Sequence, residues 1–207
     1  IHKFIEIKDW DSDLRLMKEK RYEYPAPLDQ TNLSVFIDDQ YISLLNAGDP
    51  YVVSLHRKIC LHMARTGEPA FINLSRMQQD DPNAECVNPC GEATMWHGGA
   101  CVLGSINLSK IRDLNHLEEV VRIGTQFLIN GSIKGQYPTD HIKSVANQTR
   151  RIGLGLLGLH EFMLMRGHRY EWFKELEQYV KVWADMSRFE ANKYADSLGV
   201  VHPTTCR

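Results

Sequence analysis

No apolar run in this sequence approaches the roughly 20 residues that span a bilayer, so no membrane-spanning helix is expected. The opening, IHKFIEIKDWDSD, has no charged region leading into an apolar one, so no secretory signal is expected either and a cytoplasmic setting follows by default. An excess of one charge is also lacking: the formal net charge is -2, with acidic and basic residues interspersed. No basic face proposes itself for a phosphate backbone, which removes nucleic acid from the expected partners. Cysteine is scarce and odd in number, with Cys60, Cys86, Cys90, Cys101 and Cys206. That argues against a secreted disulfide framework, and in a reducing compartment clustered cysteines point to metal or chemistry. Internal repeats and low-complexity segments are absent. What is present suffices for a packed core: 207 residues, 43% hydrophobic and 24% charged, lie far from the composition of disorder. Ile1 stands where an initiator Met would, and GVVHPTTCR ends in an extended stretch without a cap, so a piece of a longer protein is expected.

Periodicity supplies the elements. IHKFIEIKDW reads as a helix, and the alternation in 31–37 (TNLSVFI) reads as a strand. In DPYVVSLHRKICLHMARTG, Pro50 stands near a first turn, apolar residues follow at helical spacing and Gly67 is a stop. Cys60 sits within that apolar pattern and is expected to be a buried structural thiol. PAFINL then reads as a short buried strand, and the polar 76–85 (RMQQDDPNAE) as a loop. Asn115 with Glu118 three residues on resembles a capping box for a helix that Gly131 follows. A second helix is expected over about 139–151 and a long one over about 171–198, with Phe173, Leu176, Val180, Trp183 and Met186 on one face and Gly199 as its stop. Strands interleaved with helices suit an α/β architecture.

Three patterns carry candidate chemistry. Gly153-Leu154-Gly155-Leu156-Leu157-Gly158 matches the dinucleotide fingerprint G-x-G-x-x-G, but that motif needs a strand to deliver its first glycine, and here SVANQTRRI is polar with a helical period. Close packing of an apolar segment explains the glycines better. Cys86, Cys90, His97 and Cys101 form a C-x3-C-x6-H-x3-C array, which admits a zinc-stabilised binding module as an alternative reading. The third pattern groups Asn88, Cys90 and Glu92. In an extended segment these point to one face and set an amide, a thiol and a carboxylate side by side. Pro89 and Gly91 suit a loop or finger better than a regular strand. A carboxylate two residues from a thiol disfavours the thiolate and therefore a protease-type nucleophile. A protonated thiol suits hydrogen-atom chemistry instead. Met95-Trp96-His97-Gly98-Gly99 then turns the chain, and 100–103 (ACVL) runs back.

Asn88-Pro89-Cys90-Gly91-Glu92, then 101–108 (CVLGSINL), then 150–159 (RRIGLGLLGL) resemble, in order and spacing, the large catalytic subunit of ribonucleotide reductases. Asn32-Leu33-Ser34-Val35 and the opening HKFIEIK also fit, so that 1–207 is expected to be the central portion of the catalytic barrel domain. The resemblance implies part of a ten-stranded α/β barrel with a central finger loop. Cys90 would carry a thiyl radical that abstracts the 3′-hydrogen of the ribose, Glu92 would be general base for the 3′-hydroxyl, and Asn88 would hydrogen-bond substrate. Cys101 would be one member of the dithiol that becomes a disulfide on each turnover. A cofactor is implied, since no side chain here starts one-electron chemistry. The short interval between Cys90 and Cys101 and the run GLLGLHEFMLMRGHRY look more like adenosylcobalamin-dependent forms, the alternative being a radical supplied by a separate metal-containing small subunit. Implied partners are a ribonucleoside di- or triphosphate, a thioredoxin- or glutaredoxin-type reductant, nucleotide effectors and, in the complete protein, a second copy in a homodimer. The second redox cysteine, the specificity loops and the regulatory region are expected upstream, and the phosphate loop just past Arg207. The isolated piece is expected neither to turn over nor to close a barrel, whether it is half of a split enzyme or an inactive fragment.

Overall fold

A computed structural model describes Ile5 and residues 31–204. The expected opening helix lies outside the described residues apart from Ile5, and so does Cys206. The chain divides into two compact units, 1–95 and 96–207.

In the first unit, β1 (Ser34–Ile37) and β2 (Ala70–Asn73) pair in parallel, with Ser34 opposite Ala70 and Ile37 opposite Asn73. A parallel pair needs a crossover, supplied by α1 (Asp39–Asn46) and α2 (Pro50–Thr66). Asp38 caps α1 by accepting the Tyr41 amide at 2.7 Å. Helix α2 starts where expected: Asp49 accepts the Val52 amide at 3.0 Å, Pro50 fills the first turn, and Gly67 closes the end at φ 80°. Its buried stripe is Val52, Leu55, Ile59 and His62, a spacing of three, four and three. Cys60 is a correction. It is exposed, as is Leu61, because each residue turns 100° around the axis and both fall outside that stripe.

Strand β2 is also less buried than expected. Phe71 and Ile72 are half-buried and Ala70 and Asn73 exposed, since among the described residues β1 is its single strand neighbour. The supposed loop over 76–85 is a second correction: α3 (Leu74–Asp80) occupies its first half. Asn73 caps it by accepting the Arg76 amide at 2.9 Å, and Met77 is its one buried residue. A helix with one buried side chain has too weak an apolar period to show in a polar sequence.

The second unit is built on β5 (Val102–Asn107) and β6 (Ile152–Leu157), parallel and in continuous register from Val102 opposite Ile152 to Asn107 opposite Leu157. Helix α4 (Leu114–Lys134) makes the crossover together with α5 (Asp140–Thr149). The cap of α4 is Asp113, which accepts the His116 amide at 2.8 Å, rather than Asn115. Gly131 lies inside the helix rather than after it, and a Cβ there would meet Val102 Cγ1 in ordinary contact at 3.4 Å. Thr139 caps α5, which ends at Arg150 in the left-handed region at φ 41°. After β6 come α6 (Leu159–Met165) and the long α7 (Lys174–Leu198), which Gly199 ends at φ 64°. The expected face of α7 is confirmed: Leu176 is fully buried, with Phe173, Val180, Trp183 and Met186 against a core of Leu117, Val121, Phe162 and Met163. Trp183 Nε1 also donates to the Leu154 carbonyl at 3.0 Å, tying α7 to β6. Side chains buried like Leu117 are each worth about 2–5 kcal/mol against truncation to alanine.

The architecture is α/β as expected. Among the described residues the strands form three two-stranded sheets and no closed barrel. The glycine segment is β6 itself: Gly153 and Gly155 are strand residues opposite Leu103 and Ser105, not a phosphate-binding turn.

Candidate functional site

The third sheet positions the cysteine segment. Strands β3 (Cys86–Val87) and β4 (Thr94–Met95) pair antiparallel, Cys86 opposite Met95 and Val87 opposite Thr94, and leave 88–93 as a finger. Asn88 closes the base of that finger, its backbone N–H donating to the Ala93 carbonyl at 3.2 Å and its Oδ1 accepting the Ala93 amide at 3.0 Å. The Gly91 amide donates to the Asn88 carbonyl at 2.9 Å, which makes 88–91 a β-turn with Pro89 second and Gly91 fourth. Gly91 has φ 82°, and a Cβ there would press on Ile72 Cδ1 at 3.3 Å. A left-handed torsion close above a β2 side chain is met by glycine.

Cys90 is therefore carried, exposed, at the tip of a tight turn. The Asn88 amide Nδ2 donates directly to Glu92 Oε1, so the amide and the carboxylate meet as expected. The reason differs from simple strand alternation: a turn folds Glu92 back onto Asn88. From outside the finger, Asn32 Nδ2 donates to the Pro89 carbonyl at 2.8 Å. A groove of about 360 Å³ opens beside it, lined by Asn32, Ser34, Phe36, Val87, Asn88 and Pro89 among others.

Cys101 lies in the second unit, half-buried, one residue before β5. The turn expected before it is present, with the Gly99 amide donating to the Trp96 carbonyl at 2.8 Å and Gly98 at φ 78°. His97 is engaged with His141, Nδ1 to Nε2 at 3.2 Å. The C-x3-C-x6-H-x3-C array is divided between the two units, Cys86 and Cys90 in the first and His97 and Cys101 in the second; among the described residues no three His, Cys, Asp or Glu side chains form a metal-binding group. Cys60, Cys86, Cys90 and Cys101 all carry thiols rather than disulfides.

Two features escaped the sequence. Asn32 acts across 57 residues, a contact that no local spacing reveals. At the carboxyl ends of β5 and β6, Asn107 Oδ1 accepts the Ser109 amide at 3.1 Å, while the Ser109 hydroxyl lies 2.7 Å from Glu161 Oε2 and Lys110 Nζ 3.7 Å from Oε1. The Ser109 hydrogen bond, and after it the Lys110 charge, hold the Glu161 carboxyl below the usual carboxylate value.

Residues 15–193 match the family of the ribonucleotide reductase barrel domain. The chain belongs to that family. Similar proteins include the vitamin B12-dependent ribonucleoside-diphosphate reductase of Mycobacterium tuberculosis, 30% identical over 72% of this chain and 25% of the relative. A putative adenosylcobalamin-dependent ribonucleoside-triphosphate reductase of Mycobacterium phage D29 is 32% identical over 68% of this chain and 22% of the relative. The crystal structure of a B12-dependent class II ribonucleotide reductase superposes with a TM-score of 0.70, covering 99% of this chain and 30% of that one at 19% identity. The chain thus spans about a quarter of the length of the curated relatives it matches. Together with the family match, the likeness of fold bears out the expectation of a partial α/β barrel.

Proposed function

We propose that the protein of which this chain is the central barrel segment reduces ribonucleotides to 2′-deoxyribonucleotides by radical chemistry at Cys90. The observation that carries this reading is the finger: an exposed thiol at the tip of a turn whose base is an amide hydrogen-bonded to a carboxylate. As a thiyl radical, the Cys90 sulfur takes the 3′-hydrogen of the ribose. Glu92 accepts the 3′-hydroxyl proton, the 2′-hydroxyl takes a proton from the redox dithiol and leaves as water, and Asn88 orients substrate and carboxylate together; after reduction the proton returns from Glu92 to the 3′-oxygen and the hydrogen atom from Cys90 to C3′. Two electrons are required, and Cys101 with a second cysteine elsewhere in the protein supplies them on becoming a disulfide. A thioredoxin- or glutaredoxin-type dithiol protein then restores the pair.

Adenosylcobalamin is the proposed cofactor, since relatives are named for dependence on it. When bound, it supplies the one-electron oxidation that no side chain can start. The exposed Cys90 thiol fits an oxidant that arrives from outside the finger. The nucleotide is a ribonucleoside di- or triphosphate, the two substrates for which the relatives are named. No helix among the described residues is long and apolar enough to cross a membrane.

The test uses the full-length protein with adenosylcobalamin and a 3′-tritiated ribonucleotide. Cys90→Ala is expected to abolish both tritium release and deoxynucleotide formation. Cys101→Ala is expected to lose sustained turnover while still forming a radical. Normal turnover by Cys90→Ala overturns the assignment.

A further inference from the structure

We propose that Asn32 is a positioning residue for the radical-bearing thiol, acting through the peptide that joins Pro89 to Cys90. The inference rests on the reading of Cys90 given above. The carbonyl that accepts the Asn32 Nδ2 hydrogen, at 2.8 Å, belongs to the peptide unit whose nitrogen is that of Cys90. Fixing that carbonyl fixes the plane from which the Cys90 Cα and side chain project.

The finger's own hydrogen bonds do something different. The Asn88 backbone and side chain join Ala93, and the Asn88 amide joins Glu92, so these bonds set the base and the carboxylate. The Gly91 amide tightens the turn by bonding to the Asn88 carbonyl, leaving the Pro89 carbonyl to Asn32. Pro89 itself has no N–H with which to join a ladder.

Asn32 is mounted to serve as a reference point. Leu33, beside it, is buried at 6% exposure, and the Leu33 carbonyl accepts the Ala70 amide at 2.9 Å, continuing the parallel pairing of β1 with β2. The Leu33 amide also reaches Glu68 Oε1 at 3.4 Å. The same β2 sets Ile72 Cδ1 3.3 Å from where a Cβ on Gly91 would stand. The β1–β2 pair thus supplies the tip with a hydrogen bond at Pro89 and leaves no room for a side chain at Gly91. Asn32, Asn88 and Pro89 line one groove, which puts the tether at the open side of the finger. Hydrogen-atom transfer is short-ranged, and a reacting group displaced by about 1 Å loses on the order of 100-fold in rate. The side chain that orients the Pro89–Cys90 peptide therefore acts on the chemical step and not on nucleotide affinity.

The experiment uses the full-length reductase with adenosylcobalamin and a 3′-tritiated ribonucleotide, comparing Asn32→Ala, Asn32→Asp and Asn32→Gln. Alanine and aspartate, neither of which donates to a carbonyl, are expected to lower kcat and 3′-tritium release together by about 10- to 100-fold, with KM within about twofold. Glutamine keeps the donor on a longer arm and is expected to recover part of the loss. Hydrogen exchange of the peptide containing 88–93 is expected to quicken in Asn32→Ala while peptides from α4 stay unchanged. A kcat within about twofold of wild type for Asn32→Ala overturns the proposal, and so does a loss matched by faster exchange throughout the chain. Cys90→Ala, run alongside, separates the two readings. If it keeps turnover, the radical assignment falls; if it is dead while Asn32→Ala is normal, the positioning role alone falls.

Discussion

Gly158, the last glycine of the segment that imitates a dinucleotide fingerprint, is predicted to tolerate no side chain. It stands between β6 and α6 at φ 72°, and a Cβ built on it would run into Asn107 Oδ1. Gly158→Ala therefore meets two costs. The left-handed torsion costs a non-glycine residue about 1 kcal/mol. The Asn107 side chain must also move, giving up its bond to the Ser109 amide, and loss of such a cap costs about 1 kcal/mol more. The sum is about 2 kcal/mol, rising toward 3 where the Ser109 hydroxyl loses its place as well. Gly199→Ala, in the same unit, isolates the torsion, because at φ 64° nothing lies within 4 Å of its Cβ; about 1 kcal/mol is expected there. Denaturant unfolding of both variants gives the difference directly. In a double-mutant cycle, Asn107→Ala should remove the clash, so that the pair costs about 1 kcal/mol less than the two singles summed. Equal destabilisation by Gly158→Ala and Gly199→Ala would refute the steric account, as would strict additivity with Asn107→Ala.

Other perturbations follow from the caps and charges. Asp113→Ala should destabilise the second unit by about 1 kcal/mol in denaturant melts, and Asn115→Ala by less than about 0.5, since Asp113 is the residue that accepts the His116 amide. Glu161 has its folded-state pKa lowered from 4.5, chiefly by the Ser109 hydrogen bond and then by Lys110. A lowered folded value means stability that is present above 4.5 and lost as pH falls through the folded value. Unfolding curves of wild type and Glu161→Gln should thus differ at neutral pH and converge in acid; a gap that widens on acidification would contradict the geometry.

The long helices were legible because their signals are local and redundant. Asp49, Pro50 and Gly67 bracket α2, and the apolar face of α7 repeats through Leu176, Val180, Trp183 and Met186 before Gly199 stops it. Failures occurred where two local signals competed or where burial depends on a neighbour. Asn115 with Glu118 imitated a capping box, but Asp113 lies two residues earlier and already holds the His116 amide. Gly131 resembled a stop, but a lone glycine without a left-handed torsion does not end a helix, and α4 continues to Lys134. Cys60 and Leu61 lie in an apolar run, yet burial follows the helical angle rather than composition, and the stripe passes through Ile59 and His62 on either side of them.

The finger shows the same division at the level of chemistry. Residue types alone grouped Asn88, Cys90 and Glu92, and alternation in an extended segment was a sufficient reason to expect them together. A strand would space the three evenly along one face. The turn instead separates their tasks. It closes Asn88 onto Glu92 as a hydrogen-bonded pair and leaves the thiol exposed at the tip, held to its surroundings through the Pro89 carbonyl and Gly91. The base and the tip of the finger can therefore be perturbed separately: Glu92 through Asn88, and Cys90 through Asn32. The Asn88–Glu92 half was legible because four residues separate the partners. The Asn32–Pro89 half was not, because its geometry exists only once β1 has paired with β2 and brought residue 32 to the finger.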